Sequence, residues 1–142
     1  MAHDLDLARA FDFTGRVVFV AGGTSGINLE IAEAFACCGA RVAVVSRHQA
    51  RVDAAVARLE NCSPEAAGFV ADVRDYAAIE IALSGATDRF GPFDVLISGA
   101  AGNFPASALG MSPNAFKAVV VHAKYLSVPG GEAVCRWPVG PA

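Results

Sequence analysis

Charge is scarce in this sequence and strongly biased to neither sign: 11 Lys and Arg stand against 14 Asp and Glu, for a net charge of −3. No basic stripe is available to follow a phosphodiester backbone, so nucleic acid is not an expected partner. No apolar run approaches the roughly 20 residues that span a bilayer, so no membrane is expected either. The start, Met1-Ala2-His3-Asp4, lacks the charged-then-apolar pattern of a signal peptide. A soluble, cytoplasmic protein is the expectation. Cys37, Cys38, Cys62 and Cys135 show no Cys-x-x-Cys or Cys/His spacing of the kind that holds zinc, so no metal site is expected. Reduced thiols are expected instead.

Apolar residues are plentiful. They make up 54% of 142 residues, far too many for a disordered chain and enough for one domain with an ordinary core. Residues 1–15 read as a lead-in. From residue 16 two periods alternate. Arg16–Ala21 is an unbroken apolar run suited to a strand covered on both faces. Ile27, Ile31, Ala34, Phe35 and Cys38 recur at helical spacing, with Gly39 as the residue after the helix end. Arg41–Val45 is a second strand, and Val52, Ala55, Val56 and Leu59 mark a second helix. Ala66–Ala71 reads as a third strand. Asp75 can cap a helix carrying Ile79, Ala82, Leu83, Ala86 and Phe90. Phe93–Ile97 is a fourth strand, and Ser112-Pro113 opens a helix through Phe116, Val119 and Val120. Strand–helix alternation implies right-handed crossovers and a parallel α/β sheet. The expected strand order is 3-2-1-4, with a switch point at the carboxyl end of the first strand.

Gly22-x-x-x-Gly26 falls at that point, between the first strand and the first helix. Glycine there permits a tight turn and close approach of a pyrophosphate, while the helix's first N–H groups and dipole attract its charge. Thr24 and Ser25 can add hydroxyl hydrogen bonds. Val20–Asn28 therefore reads as the phosphate-binding turn of a Rossmann-type nicotinamide-dinucleotide domain, against the alternative of a purely structural turn.

The spacing resembles the Thr-Gly-x-x-x-Gly-x-Gly of the short-chain dehydrogenases/reductases, with Ala21 for the threonine and Asn28 for the last glycine. By that resemblance Gly22, Thr24, Ser25, Gly26 and Ile27 bind the cofactor. The end of the second strand reports which cofactor. An acidic residue there accepts from a ribose 2′-OH and repels a 2′-phosphate. Ser46-Arg47 stands there instead, a hydroxyl and a guanidinium that suit a phosphate, so NADPH (NADP) is favoured over NADH. The alternative is a capping box of Ser46 and Gln49, with Arg47 merely solvated. Asp72-Val73 resembles the family's adenine-ring contact, and the competing reading is a loop aspartate.

The resemblance covers about residues 11–121. Gly99-Ala100-Ala101-Gly102-Asn103-Phe104-Pro105, followed by Met111-Ser112-Pro113-Asn114-Ala115-Phe116-Lys117, is similar to the 2,4-dienoyl-CoA reductase branch, which reduces a conjugated dienoyl thioester with NADPH. The similarity implies that Ser98, Gly99 and Ala100 line the nicotinamide-ribose side and that Asn103 and Phe104 lie near an acyl-thioester substrate. The alternative has Asn103 merely shaping a turn. Residues 98 and 99 depart from the family's usual Asn-Asn pair.

Catalysis in the family rests on a Tyr-x-x-x-Lys pair in the second half of the fold, where tyrosine donates a proton and lysine lowers its pKa. Tyr76 is followed four residues later by Glu80 and Tyr125 by Pro129, so neither fits and the catalytic residues are unknown. The pattern stops near Val121. Residues 122–142 form an irregular tail, expected from a frameshift, read-through or truncation, and residues 16–121 a partial Rossmann NADP-binding domain. The resemblance implies homo-oligomers for full-length relatives. Here an exposed apolar edge predicts aggregation or a need to dimerise. Three functions stay open: a reductase lacking its catalytic half, a non-catalytic nucleotide-binding or subunit-interaction module, and a non-functional product.

Overall fold

Val17–Ala21, the strand β1, is buried at every position, which explains its unbroken apolarity. Alternate side chains point to opposite faces of a strand. Val17, Phe19 and Ala21 enter one core cluster, and Val18 and Val20 enter another on the far side. The computed structural model describes residues 7–99, and the helix expected from Ser112-Pro113 through Val120 lies outside that range.

Around β1 the order is α1 (Leu7–Ala10), β1, α2 (Gly26–Cys37), β2 (Arg41–Ser46), α3 (Gln49–Leu59), β3 (Ala66–Val70), α4 (Tyr76–Phe90) and β4 (Val95–Ser98). The described strands form one parallel sheet in the order β3-β2-β1-β4, as the sequence predicts. Register pairs Val17 with Arg41, Val18 with Val95 and Val42 with Ala66. Helices α2 and α3 cover one face, through Ala32, Ala36, Ala55 and Leu59. The other face is covered by α4, through Ile79, Ala82, Ala86 and Phe90. The Asp75 carboxylate accepts from the Ala78 N–H, which is the expected helix cap.

The buried face of α2 departs from expectation. Ala32 and Ala36 are buried with Leu29 and Phe35 packed beside them, whereas Ala34 is exposed and Ile27 is 79% exposed. Apolar residues stand on both sides of this helix, Ile27 and Ala34 exposed and Ala32 and Ala36 buried, so apolarity does not mark one side. The smallest side chains face the sheet.

The thiols depart too. Cys37, in the last turn of α2, is disulfide-bonded to Cys62, in the turn after α3, while Cys38 is free. Two crossover helices of the same sheet run parallel, so their C-terminal ends meet at one end of it. Local Cys spacing carries no trace of a contact across 25 residues of sequence, so the expected reduced thiols are corrected at Cys37 and Cys62.

Asp94 ties the outer strand to the centre before their ladder begins. Its carboxylate accepts from the buried Val17 N–H at 2.8 Å and from Arg16 Nη1 at 2.7 Å. The Val17 N–H, and then Arg16, holds this carboxyl below the usual range, against some desolvation. Asp94→Ala leaves that N–H without an acceptor and should cost about 1–3 kcal/mol at neutral pH. Asp94→Asn, which keeps an acceptor, should cost less. Urea denaturation of the three proteins checks the ranking, and equal midpoints would refute it.

Candidate nucleotide-binding site

The turn after β1 is built by backbone geometry. The Gly22 N–H still donates to Val45 O at 2.9 Å, continuing the β1–β2 ladder. Gly22 then turns with φ +79° and Gly26 with φ +57°, angles that a side chain disfavours. Thr24 is buried within the turn. Ser25 stands at the N-cap of α2 in an extended conformation, yet its side chain makes no capping bond, and no acidic residue occupies the helix's first turn. The first N–H groups of α2 therefore have neither a side-chain cap nor a nearby carboxylate to offset the helix dipole.

This turn forms one wall of a cleft of about 360 Å³ across the carboxyl ends of the strands. Gly22, Thr24, Ser25 and Asn28 come from the turn and from α2. Val45, Ser46 and Arg47 come from the end of β2, and Arg51 from the start of α3. Beyond β3 come Ala71, Asp72 and Val73, and Gly99 follows β4. The cleft thus gathers most of the residues singled out in the sequence. Gly26 opens α2 without lining the cleft, and Ser98 ends β4 exposed. Ile27 is exposed and also outside the lining. Ala100, Asn103 and Phe104 lie outside the described residues.

Ser46 does not cap α3: the N-cap is His48, and Gln49 Nε2 donates instead to Asp53 Oδ1 at 2.7 Å. Asp72 does shape its own loop, accepting from the Arg74 N–H at 2.9 Å, and it lines the cleft as well.

The charges divide unevenly. The Arg74 side chain grips the Asp72 carboxylate and holds its pKa at about 2, with Arg47 adding a smaller pull. Arg47 and Arg51, in contrast, form no ion pair with any described residue. Two guanidinium groups and the Ser46 hydroxyl are thereby left at the β2 corner, an arrangement able to hold a phosphate or other dianion. Arg51 was missed in the sequence. Its spacing of four from Arg47 is the signal that could have found it, because α3 starts between them.

A family model for short chain dehydrogenases matches residues 16–126. This chain belongs to that family. A peroxisomal 2,4-dienoyl-CoA reductase of Arabidopsis thaliana is 37% identical over 106 residues, which are 75% of this chain and 36% of that protein. The Rattus norvegicus enzyme of the same name is 41% identical over 110 residues, covering 74% of this chain and 36% of its own length. This chain therefore spans about a third of the length of the curated relatives it matches.

Among solved structures, a short-chain type dehydrogenase/reductase from Mycobacterium marinum superposes with a TM-score of 0.79 at 22% identity. The match covers 85% of this chain and 49% of that one, and at this identity it speaks to fold alone. A 3-ketoacyl-(acyl-carrier-protein) reductase from Brucella melitensis, complexed with NADH, gives 0.72 at 26% identity over 80% of this chain and 46% of its own. No described helix is long and apolar enough to cross a membrane. The Arabidopsis and rat relatives are both named as peroxisomal proteins, so the cytoplasmic expectation gains nothing from them.

The Asp72–Arg74 grip is testable by titration. Because the folded-state pKa is depressed, the pair stabilises the fold above the unfolded carboxyl's value near 3.9 and loses that contribution as pH falls toward about 2. Carboxyl NMR should find the Asp72 midpoint near 2, rising toward the ordinary value in Arg74→Ala. An unchanged midpoint in the variant would show that the guanidinium is not the cause.

Proposed function

We propose that this chain is a nucleotide-binding portion of a short-chain dehydrogenase/reductase and that it prefers NADPH to NADH. The supporting observation is the pairing of the uncapped start of α2 with the Ser46, Arg47 and Arg51 corner across one cleft. Gly22, Thr24, Ser25 and Gly26 serve the pyrophosphate, through backbone N–H groups and hydroxyls. The β2 corner serves a 2′-phosphate: no carboxylate ends β2, its two guanidinium groups have no ion-pair partner among the described residues, and the nearby Asp72 is held by Arg74. Asp72 and Val73 bound the adenine side. When bound, the reduced nicotinamide supplies a hydride. Ser98, Gly99 and Ala100 would flank its ribose.

The relatives' names support an enoyl or dienoyl thioester as the substrate class, with Asn103 and Phe104 beside it. The 142 residues contain no Tyr-x-x-x-Lys, so this chain by itself has no such proton donor. The second reading is a non-catalytic nucleotide-binding or subunit-interaction module. In both readings residues 16–121 are the nucleotide unit.

Fluorescence titration with both reduced cofactors tests the proposal. Wild type should bind NADPH at least about tenfold more tightly than NADH, since a charge-assisted contact to phosphate is worth more than 1.4 kcal/mol. Arg47→Ala/Arg51→Ala should remove that preference while leaving NADH affinity nearly unchanged. A dienoyl thioester added to the wild-type complex should oxidise no NADPH. Failure to bind either cofactor at millimolar concentration would overturn the proposal, and turnover would refute the missing-donor argument.

A further inference from the structure

Asn28 and Gly99 lie 71 residues apart and meet at the mouth of the cleft, where the first turn of α2 faces the end of β4. Asn28 Nδ2 donates to Gly99 O at 2.8 Å. The contact is close. A Cβ placed on Gly99 would lie 2.1 Å from Asn28 Oδ1 and 2.2 Å from both Cγ and Nδ2. These atoms belong to a bonded amide, not to the free end of a long side chain, and they cannot withdraw without breaking the bond. Gly99 itself is held in place, because its N–H donates to Ala21 O at 3.0 Å and so extends the β1–β4 ladder. Its φ is not positive. Glycine is needed here for space, and what fills the space is the Asn28 side chain.

Both positions are among the departures from the family pattern noted in the sequence: Asn28 replaces the last glycine of the turn, and Gly99 replaces the second asparagine of the pair after β4. We infer that they are one device, a latch in which the Asn28 amide, reaching from the helix, occupies the place a side chain at 99 would take. It thereby fixes the separation of the two cleft walls. Asn28 acts as a positioning residue. It joins the helix whose N–H groups face the cleft to the strand end proposed to flank the nicotinamide ribose. This inference rests on the dinucleotide reading for its consequence, though not for its geometry. Each residue is tolerable only with the other: a side chain at 99 requires a shorter one at 28.

Full-length Gly99→Ala, Asn28→Ala and the double variant Asn28→Ala/Gly99→Ala provide the test, by melting temperature and by NADPH affinity measured well below each melting point. Gly99→Ala should melt lower and bind NADPH at least about tenfold more weakly, from forced overpacking against the amide. Asn28→Ala should weaken binding about threefold, the size expected from one neutral hydrogen bond. The double variant should return to the level of Asn28→Ala, because the atoms that clash are gone. Additive losses in the double variant, or a Gly99→Ala protein indistinguishable from wild type, would overturn the latch. Lower melting temperatures with unchanged NADPH affinity would overturn the positioning role. If wild type binds neither cofactor the dinucleotide reading fails, and the latch is then decided by the melting temperatures alone, with rescue supporting it and additivity refuting it.

Discussion

Both faces of β1 are buried and both of its edges are hydrogen-bonded, to β2 on one side and β4 on the other. The remaining geometry follows from that. A strand enclosed on all sides must be apolar at every position. The chain leaving it must cross over to one neighbour and reach the other only later. Parallel crossovers of one hand then place α2 and α3 against one face and α4 against the other. At the carboxyl end of β1 the connections part in opposite directions, and the cleft is the gap left between them. The site is therefore a by-product of strand order, and its chemistry depends on which residues happen to end the strands.

Those residues sort their charges by proximity. Asp72 sits two positions from Arg74, and each neutralises the other within its own loop. An aspartate left free beside Arg47 would cancel the positive corner that the phosphate reading needs. Because Arg74 engages it, Arg47 and Arg51 face the cleft without a carboxylate partner among the described residues. The same logic applies at α2. An N-cap that bonded its own helix would occupy the N–H groups, and Ser25 makes no such bond.

The legible parts of the sequence were those governed by local rules. Arg41–Val45 and Arg16–Ala21 announced buried parallel strands through β-branched density, and Asp75 announced a helix start through its own side chain. Strand order followed from alternation and handedness alone. Contacts between distant positions were not legible. Cys37 and Cys62 meet because two helix ends converge, and Asn28 meets Gly99 across the mouth of the cleft. Neither pairing leaves a periodic trace. The face of α2 was misjudged for a different reason: with apolar residues on both sides, size decided which residues faced the sheet, and the pattern of apolar residues carried no such information. Within the cleft, the turn and the β2 corner could be read from motif and position. Arg51 emerged only once the start of α3 was fixed at Gln49.

In the proposed reading the turn after β1 holds the pyrophosphate and the corner after β2 holds the 2′-phosphate of one dinucleotide. Amide NMR of the uniformly labelled chain, titrated with NADPH, tests this most directly. The amides of Gly22 to Asn28 should shift together with those of Ser46, Arg47 and Arg51, with one shared dissociation constant, while the Cys62 end of the sheet stays silent. Shifts confined to one wall, or spread over the sheet with no common constant, would contradict it.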